Sequence, residues 1–253
     1  MKFIRKQVLA GERLYGIGCN LGSSLTTEMV GNAGFDFIWL DLEHGAGDHD
    51  ALVVQLQAAE STPAATVVRI AWNDAPRFKR VLDLGASGIM VPYVNTVDEA
   101  KLAAASMRYP PDGVRGVSRS NRAAAFGRNF DEYFARANDN LLTVVQIETG
   151  EAVENAGAIA AVDGVDVLFI GPLDLSTNLG IHQSYGDKAF TDALETVRAA
   201  CRAAGKAAGI LVPKIEMLPT FIELGYTFFV VGSDGGLIAN GLHDLWERCH
   251  AGR

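Results

Sequence analysis

The sequence predicts an α/β fold, a single (β/α)8 TIM barrel spanning residues 1–253, from two observations. The first is a recurring unit in which a helix-like stretch, a glycine and a compact apolar run follow one another, as in Ala33-Gly34 before Phe35–Leu40. Glycine suits the left-handed position that closes a helix, and an apolar run without alternation suits a strand buried on both faces. The second observation is the number of apolar runs, because eight is the strand number of this barrel.

The predicted elements alternate along the chain as strands and helices. Strands are expected at Tyr15–Gly18, Phe35–Leu40, Thr66–Ile70, Gly88–Val91, Leu142–Ile147, Val165–Ile170, Ala208–Val212 and Phe228–Val231. Between them, segments such as Asp50–Glu60 and Phe190–Ala204 repeat their apolar residues with a helical period, which predicts helices. No linker or low-complexity stretch divides the sequence, so we expect one domain.

The longest connection follows the fourth predicted strand and runs from Arg108 toward Phe130. Loops of this length in compact domains are usually functional or flexible. Its several arginines indicate either the steering of an anionic substrate or a solvated surface loop, and the sequence leaves both readings open.

Composition excludes several classes of protein. The chain has 22 Lys and Arg against 30 Asp and Glu, a formal charge of −8, which argues against a binder of nucleic acid or of anionic membranes. The three cysteines, Cys19, Cys201 and Cys249, form no CxxC pair and predict neither a disulfide framework nor a zinc ribbon. Because no secretory h-region and no run of eighteen apolar residues is present, we expect a cytoplasmic protein that does not enter a membrane.

Charged side chains stand where several predicted strands end. Asp41 and His44 follow the second strand, Arg69 lies at the end of the third, and Glu148 and Asp174 follow the fifth and sixth. In a parallel barrel these strand ends meet at one face, which is where such barrels carry their active sites.

Glu148 and Asp174 follow adjacent strands, so their carboxylates are expected to converge on one hard cation such as Mg²⁺ or Mn²⁺. The alternative is that each caps the following helix or pairs with a lysine. A guanidinium at Arg69 is partly buried in this arrangement and requires an anionic partner. That partner is either a carboxylate-bearing substrate or, on the neighbouring strand end, Asp41 or Glu43.

Proton transfer is the function expected of His44, because histidine titrates near neutrality, although an isolated histidine is more often structural. No G-x-S-x-G elbow is present. Lys214 is the one lysine at a strand terminus, so an imine mechanism stays open. The loop 232–236 lies where barrels often bind phosphate, but it lacks a basic residue.

Five segments of the sequence resemble the HpcH/HpaI family of metal-dependent, class II pyruvate aldolases within the phosphoenolpyruvate/pyruvate barrel superfamily. They lie in the expected order and span nearly the whole chain. The segments are Asp41-Leu42-Glu43-His44-Gly45, Val68-Arg69, residues 109–116, Gln146-Ile147-Glu148 and residues 171–176.

The resemblance implies a role for each matching polar side chain. Glu148 and Asp174 are similar to metal ligands that hold Mg²⁺, Mn²⁺ or Co²⁺. Arg69 resembles the group that binds the 2-oxo acid and stabilises its enolate, and His44 the residue that works with metal-bound water in proton transfer. Gln146 resembles a residue that contacts the substrate or its waters.

The resemblance also implies roles for residues around this centre. The backbone of Gly171, Pro172 and Leu173 is similar to the wall that holds the substrate carboxylate. Asp41 resembles a supporting carboxylate, and Asp83 resembles an acidic residue that supports the histidine. Relatives commonly have alanine where Leu173 stands, so we expect a pocket of different shape.

The activity implied by the resemblance is reversible cleavage or formation of 4-hydroxy-2-oxo acids from pyruvate or hydroxypyruvate and an aldehyde. The implied assembly is a homo-hexamer, a trimer of dimers, in which the last helix, including Leu242–Trp246, is exchanged between subunits. One alternative is a lyase of the citrate-lyase β type that acts on a CoA thioester. Another is a barrel that has lost catalysis and only binds a metabolite.

Overall fold

A computed structural model describes residues 1–251 as a closed barrel of eight parallel strands that pair in chain order. The strands are β1 (Leu14–Cys19), β2 (Phe37–Asp41), β3 (Ala65–Arg69), β4 (Gly88–Val91), β5 (Leu142–Ile147), β6 (Val167–Ile170), β7 (Ala207–Leu211) and β8 (Phe228–Ser233). The predicted fold class is therefore confirmed, and each predicted strand begins and ends within two residues of an observed one.

Helices surround the barrel, and a few short ones lie within its loops. They are α1 (Arg5–Leu9), α2 (Ser24–Asn32), α3 (His49–Glu60), α4 (Ala75–Leu84), α5 (Val97–Met107), α6 (Phe130–Asn140), α7 (Gly150–Glu154), α8 (Ala156–Ala160), α9 (Pro172–Asn178), α10 (Lys188–Ala204), α11 (Leu218–Glu223) and α12 (Asp234–His250). Short 3₁₀ helices lie at Arg122–Gly127 and Ile215–Met217. None of the described helices combines the length and apolar character that a bilayer span requires.

Glycines close the helices that precede strands, as the recurring unit predicts. Gly85 ends α4 with a φ of 104°, and Gly34 and Gly225 have φ values of 99° and 92° before β2 and β8. These angles are left-handed, where a side chain costs free energy and glycine does not.

Alternation of side chains along β2 decides which residues face the barrel interior. Phe37 and Trp39 belong to the interior cluster, whereas Ile38 and Leu40 pack outward against the helices. The next inward position is Asp41, since successive strand residues point to opposite faces. The carboxylate of Asp41 therefore stands above the apolar filling of the barrel.

The same alternation operates in β3 and β5. Val67 in β3 and Val144 in β5 belong to the interior cluster, so the next inward positions are Arg69 and Gln146. Two residues beyond Gln146 comes Glu148. Polar and charged residues thus form the uppermost layer of inward-pointing side chains.

The amino-terminal end of the barrel is closed by α1, whose flanking residue Ile4 and whose Val8 join the interior cluster. Arg5 Nε donates to both carboxylate oxygens of Asp166, at 3.0 and 2.9 Å. Asp166 Oδ2 also accepts the backbone N–H of Thr143 at 3.0 Å. This end of the barrel therefore has a paired buried charge.

The arginines of the long connection after β4 make structural contacts. Arg115 is 2% exposed, lies 4.4 Å above the ring of Tyr109 and donates to the hydroxyl of Tyr133 at 3.0 Å. Arg122 pairs with Glu60 at 2.6 Å. For these two residues the reading of a solvated loop is wrong, and their charges are already engaged within the fold.

Candidate active site

The guanidinium of Arg69 lies at the centre of the barrel mouth. Its Nε and Nη2 donate to Asp41 Oδ1 and Oδ2 at 2.8 and 2.7 Å, and its Nη1 lies 3.0 Å from Glu43 Oε2. The ring of Trp39 lies 4.4 Å beneath it. A guanidinium has five N–H donors. Two of them donate to Asp41, and the contact of Nη1 with Glu43 is an ion pair, so three N–H groups make no hydrogen bond to the described residues. Arg69 can therefore pair with Asp41 and Glu43 and still bind a carboxylate-bearing substrate, so the two alternatives for its partner do not exclude each other.

Asp41 holds Arg69 and the following turn together. Its Oδ1 also accepts the backbone N–H groups of Glu43 and His44, at 3.0 and 3.3 Å. Burial acts to raise the pKa of Asp41, but the Arg69 guanidinium and these N–H groups hold it below its usual value. Gly45 is required here, because a Cβ would stand 2.1 Å from the carbonyl oxygen of Asp41.

Glu148 is buried to 2% exposure in the same mouth. Its Oε2 accepts the backbone N–H of Tyr93 at 3.1 Å, and its Oε1 accepts Nε2 of Gln146 at 2.8 Å. Burial, with added repulsion from Asp174 and Glu43, raises the pKa of Glu148 to about 8. The carboxylate is held in place but has too little positive charge around it.

Asp174 lies in the first turn of α9, beside Glu148. Its Oδ1 accepts the phenol of Tyr93 at 3.1 Å. Burial and the charge of Asp174 raise the pKa of Tyr93 to about 12, so the phenol stays protonated and acts as the donor. Tyr93 therefore bridges the two carboxylates that the sequence assigned to a metal.

The donor set of this mouth fits a hard divalent cation. Glu148 and Asp174 supply oxygen atoms, and Glu43 adds a third negative charge that affects the pKa of Glu148. Within residues 1–251, no cluster of three or more His, Cys, Asp or Glu side chains could hold a metal. A cation held here would therefore take its remaining ligands from water and substrate.

Gln146 and Gly171 shape the floor of the mouth around Glu148. Oε1 of Gln146 is buried and accepts no hydrogen bond from the described residues, which leaves it available to a ligand. A Cβ on Gly171 would stand 2.3 Å from Glu148 Oε1, so glycine is needed for the carboxylate to occupy its position. Beyond it, Pro172 is buried and Leu173 is 48% exposed.

His44 stands at the rim of the mouth with its side chain 67% exposed. Its Nε2 lies 3.9 Å from Glu43 Oε1. Asp83 does not support it within this chain: Asp83 accepts Nη2 of Arg115 at 2.7 Å and Nδ2 of Asn121 at 3.2 Å, away from the mouth. Among the described residues, no hydrogen bond or ion pair joins His44 to Asp83, and any catalytic role of Asp83 stays a prediction.

Two functional neighbours, Tyr93 and Trp39, were missed from the sequence. Tyr93 follows β4 by two residues, so inspecting the fourth strand end as closely as the others would have found it. Trp39 is an inward position of β2 two residues before Asp41, and period two alone would have placed it under the charged layer.

Two further groups with nucleophilic chemistry are Lys214, which the sequence left open for an imine mechanism, and Cys19, the last residue of β1. Lys214 is exposed and immediately precedes the 3₁₀ helix Ile215–Met217. Burial, with the charge of Asp234, raises the pKa of Cys19 to about 12, which makes this thiol a poor nucleophile.

The loop 232–236 is committed to starting α12. The N–H of Gly236 is bound by Ser233 Oγ at 3.2 Å, and that of Gly235 by Asp234 Oδ1 at 2.8 Å. Asp234 also accepts the backbone N–H of Asn20 at 2.8 Å. A carboxylate therefore occupies the place where a phosphate would have to bind.

The sequence of the chain is similar to a known protein family and to proteins of known name. Residues 19–241 match the family described as HpcH/HpaI aldolase/citrate lyase. The chain is 40% identical over 239 residues to a 4-hydroxy-2-oxo-heptane-1,7-dioate aldolase of Salmonella arizonae, covering 94% of this chain and 91% of that protein. It is 42% identical over 245 residues to a 5-keto-4-deoxy-D-glucarate aldolase of the same organism, covering 95% and 94%.

Solved structures give the same picture. A HpcH/HpaI aldolase/citrate lyase family protein from Burkholderia cenocepacia superimposes with a TM-score of 0.93 at 33% identity, covering 98% of each chain. The citrate lyase beta subunit of Mycobacterium tuberculosis, complexed with oxaloacetate and magnesium, is more distant, at 18% identity and a TM-score of 0.59 over 88% of this chain and 92% of that one. That likeness shows the fold alone.

Proposed function

The chain belongs to the HpcH/HpaI aldolase/citrate lyase family, and we propose that it is a class II aldolase in which one barrel domain spans residues 1–253. The reaction is reversible cleavage or formation of a 4-hydroxy-2-oxo acid, with pyruvate or hydroxypyruvate and an aldehyde as partners. The observation that carries this proposal is the buried Glu148 beside Asp174, in a mouth that also holds the guanidinium of Arg69, of whose five N–H groups only two donate to Asp41.

Glu148 and Asp174 are the residues that would hold the cation, and Mg²⁺, Mn²⁺ or Co²⁺ suits their oxygen atoms. When bound, such an ion polarises the carbonyl of the 2-oxo acid and offsets the negative charge of its enolate. The pKa of Glu148, raised to about 8 by burial and by neighbouring carboxylates, supports this assignment. A carboxylate whose ionised form is disfavoured in this way is stabilised by added positive charge.

Arg69 stabilises the charge that develops when the bond beta to the carbonyl breaks. Asp41 accepts hydrogen bonds from two of its nitrogens, so the guanidinium is already oriented before substrate binds. Donors fixed in advance at the site of developing charge lower the barrier without reorganising during the reaction. Gln146 Oε1, which has no partner among the described residues, accepts a hydrogen bond from the substrate or its water.

The wall at Gly171, Pro172 and Leu173 holds the substrate carboxylate. These residues open α9, where Pro172 has no backbone N–H and the N–H of Leu173 has no acceptor within the helix. His44 stands at the rim, where the aldehyde enters, and moves the proton of the aldol hydroxyl. Its exposure suits exchange of that proton with solvent.

A chelation experiment tests the proposal. Dialysis against EDTA should abolish cleavage of a 4-hydroxy-2-oxo acid, and Mg²⁺, Mn²⁺ or Co²⁺ should restore it, with the ion that restores most identifying the preferred metal. Borohydride added with pyruvate should leave the mass of the protein unchanged. Full turnover with no metal detected, or a trapped adduct on Lys214, would replace this mechanism with an imine one.

The competing function is cleavage of a CoA thioester, as in a lyase of the citrate-lyase β type. The named aldolases are far closer in sequence, at about 40% identity against 18% for the citrate lyase beta subunit. Calorimetry with acetyl-CoA separates the two functions, because an aldolase specific for free 2-oxo acids should show no heat of binding.

We further propose that the chain assembles as a homo-hexamer, a trimer of dimers that exchanges α12 between subunits. Only Asp234 of this helix is buried. Its large apolar side chains are 46 to 64% exposed: Leu237, Ile238, Leu242, Leu245 and Trp246. A monomer rarely leaves such a stripe uncovered. Light scattering should give six chains, and Leu242→Glu should lower the mass, whereas the exposed polar change Glu247→Gln should leave it unchanged.

A further inference from the structure

Tyr93 contacts both carboxylates of the proposed cation site. Its backbone N–H donates to Glu148 Oε2 and its phenol donates to Asp174 Oδ1, each at 3.1 Å. The two carboxylates follow different strands and lie 55 and 81 residues away in sequence. Among the described residues, Tyr93 supplies the hydrogen bond that Asp174 receives and one of the two that Glu148 receives.

The backbone of Tyr93 is strained in a way that points to function. Its φ is 49°, in the left-handed region, which is unfavourable for a bulky residue. Such conformations cluster at active sites, where the surrounding structure maintains them. Here the conformation coincides with the convergence of the N–H and the phenol on two neighbouring carboxylates.

Surrounding contacts fix Tyr93 in this conformation. Trp72, which is 58% exposed, stacks on its ring with centroids 6.3 Å apart. Asn95 Nδ2 donates to the carbonyl oxygen of Tyr93 at 3.4 Å, and Asn95 Oδ1 accepts the hydroxyl of Thr149 at 2.6 Å. Because Thr149 is the neighbour of Glu148 in sequence, the loop that carries Tyr93 is tied to the strand end that it serves.

We propose that Tyr93 is a positioning residue that orients Glu148 and Asp174 for a divalent cation; this inference rests on the proposed function. Tyr93 donates hydrogen bonds to Oε2 of Glu148 and to Oδ1 of Asp174. The other oxygen of Asp174, Oδ2, accepts no hydrogen bond from the described residues. Asp174, held through Oδ1, loses less freedom when its Oδ2 binds a metal. Glu148 is held through both oxygens, each of which keeps a lone pair for the cation. Loss of such an outer partner typically weakens metal binding about 10- to 100-fold.

Tyr93→Phe tests the phenol while it retains the ring, the stacking on Trp72 and the backbone N–H. Calorimetric titration of the full-length, EDTA-treated protein with Mn²⁺ should show about tenfold weaker binding, with an unchanged unfolding midpoint. The matched control is Tyr185→Phe, because the half-buried phenol of Tyr185 forms no hydrogen bond with the described residues. It should bind Mn²⁺ like the wild type.

A second variant separates the backbone contribution from the phenol. Tyr93→Gly suits the left-handed backbone and keeps an N–H for Glu148, so its affinity for Mn²⁺ should match that of Tyr93→Phe. Equal affinity in wild type and Tyr93→Phe overturns the positioning role, and tighter binding overturns it in favour of a phenol that competes with the cation. A wild type that binds no Mn²⁺ instead removes the proposed cation site itself, and this inference with it.

Discussion

The two ends of the barrel each bury a carboxylate, but the charges that surround the two carboxylates are opposite in sign. Asp166 at the amino-terminal end is 0% exposed and meets the guanidinium of Arg5 at 2.9 Å. Glu148 at the carboxyl-terminal end is 2% exposed, and its neighbours include the carboxylates of Asp174 and Glu43. The two carboxylates are equally buried, but Asp166 is paired with a guanidinium whereas Glu148 lies among other carboxylates.

This difference separates stability from function. A buried charge is tolerated when it is paired, and an unpaired one shifts its pKa or recruits a cation. The closed end is complete without a ligand, whereas the open end gains charge balance only when something binds. Barrel enzymes place stabilising residues at the first end and chemistry at the second.

The largest effect should come from Arg69 at the open end. Arg69→Ala removes the donors that we propose face the developing enolate, so kcat should fall by about 10²–10³ in a protein that still folds and binds Mn²⁺. Steady-state kinetics and calorimetry measure both. The matched control is Arg5→Ala at the closed end, which should leave kcat unchanged. A variant with wild-type kcat and a raised KM would make Arg69 a uniform substrate binder.

The closed end should show the reverse pattern. Asp166→Asn leaves Arg5 without its partner at a site where the carboxylate side chain is 1% exposed. Breaking a buried pair costs about 3 kcal/mol, so the urea midpoint should fall while kcat of the folded enzyme is retained. Wild-type stability in this variant would mean that the pair does not secure the barrel floor.

A smaller effect should appear in the pH dependence of the metal-free protein. The pKa of Glu148 is raised from 4.5 to about 8, so its contribution to stability is full below pH 4.5 and is lost as pH rises through 8. The unfolding midpoint should therefore be lower at pH 9 than at pH 5. Added Mg²⁺ should reverse the fall, and Glu148→Gln should flatten it. An equal slope in Glu148→Gln would assign the dependence to other groups.

Most of the fold follows from local sequence patterns. The apolar runs of a parallel barrel do not alternate, because both strand faces are buried, and this made the eight strands visible. Two strands begin two residues later than predicted, after Asp36 and Asp166. There each aspartate accepts a backbone N–H of the preceding strand, from Tyr15 and Thr143, in place of continued strand pairing.

The candidate site divides into a predictable part and an unpredictable one. Arg69, Glu148 and Asp174 follow apolar runs, so their place at the mouth is a consequence of strand polarity. Tyr93 joins the site through contacts that span 55 and 81 residues, and no local pattern encodes them. The contact of Asp83 with Arg115, 32 residues away, is likewise encoded by no local pattern, and its implied support of the histidine stays a prediction.

Gly171 has a consequence for how substrate choice can change over evolution. A side chain at this position would push Glu148 out of place, since its Cβ would stand 2.3 Å from Oε1. Leu173, two residues on, is 48% exposed and has room to vary. A library that randomises residues 171–173 and is selected for new aldehydes should therefore return glycine at the first position and diversity at the third. Position 171 of the pocket wall should therefore be constrained to glycine, and position 173 should be free to change with the substrate.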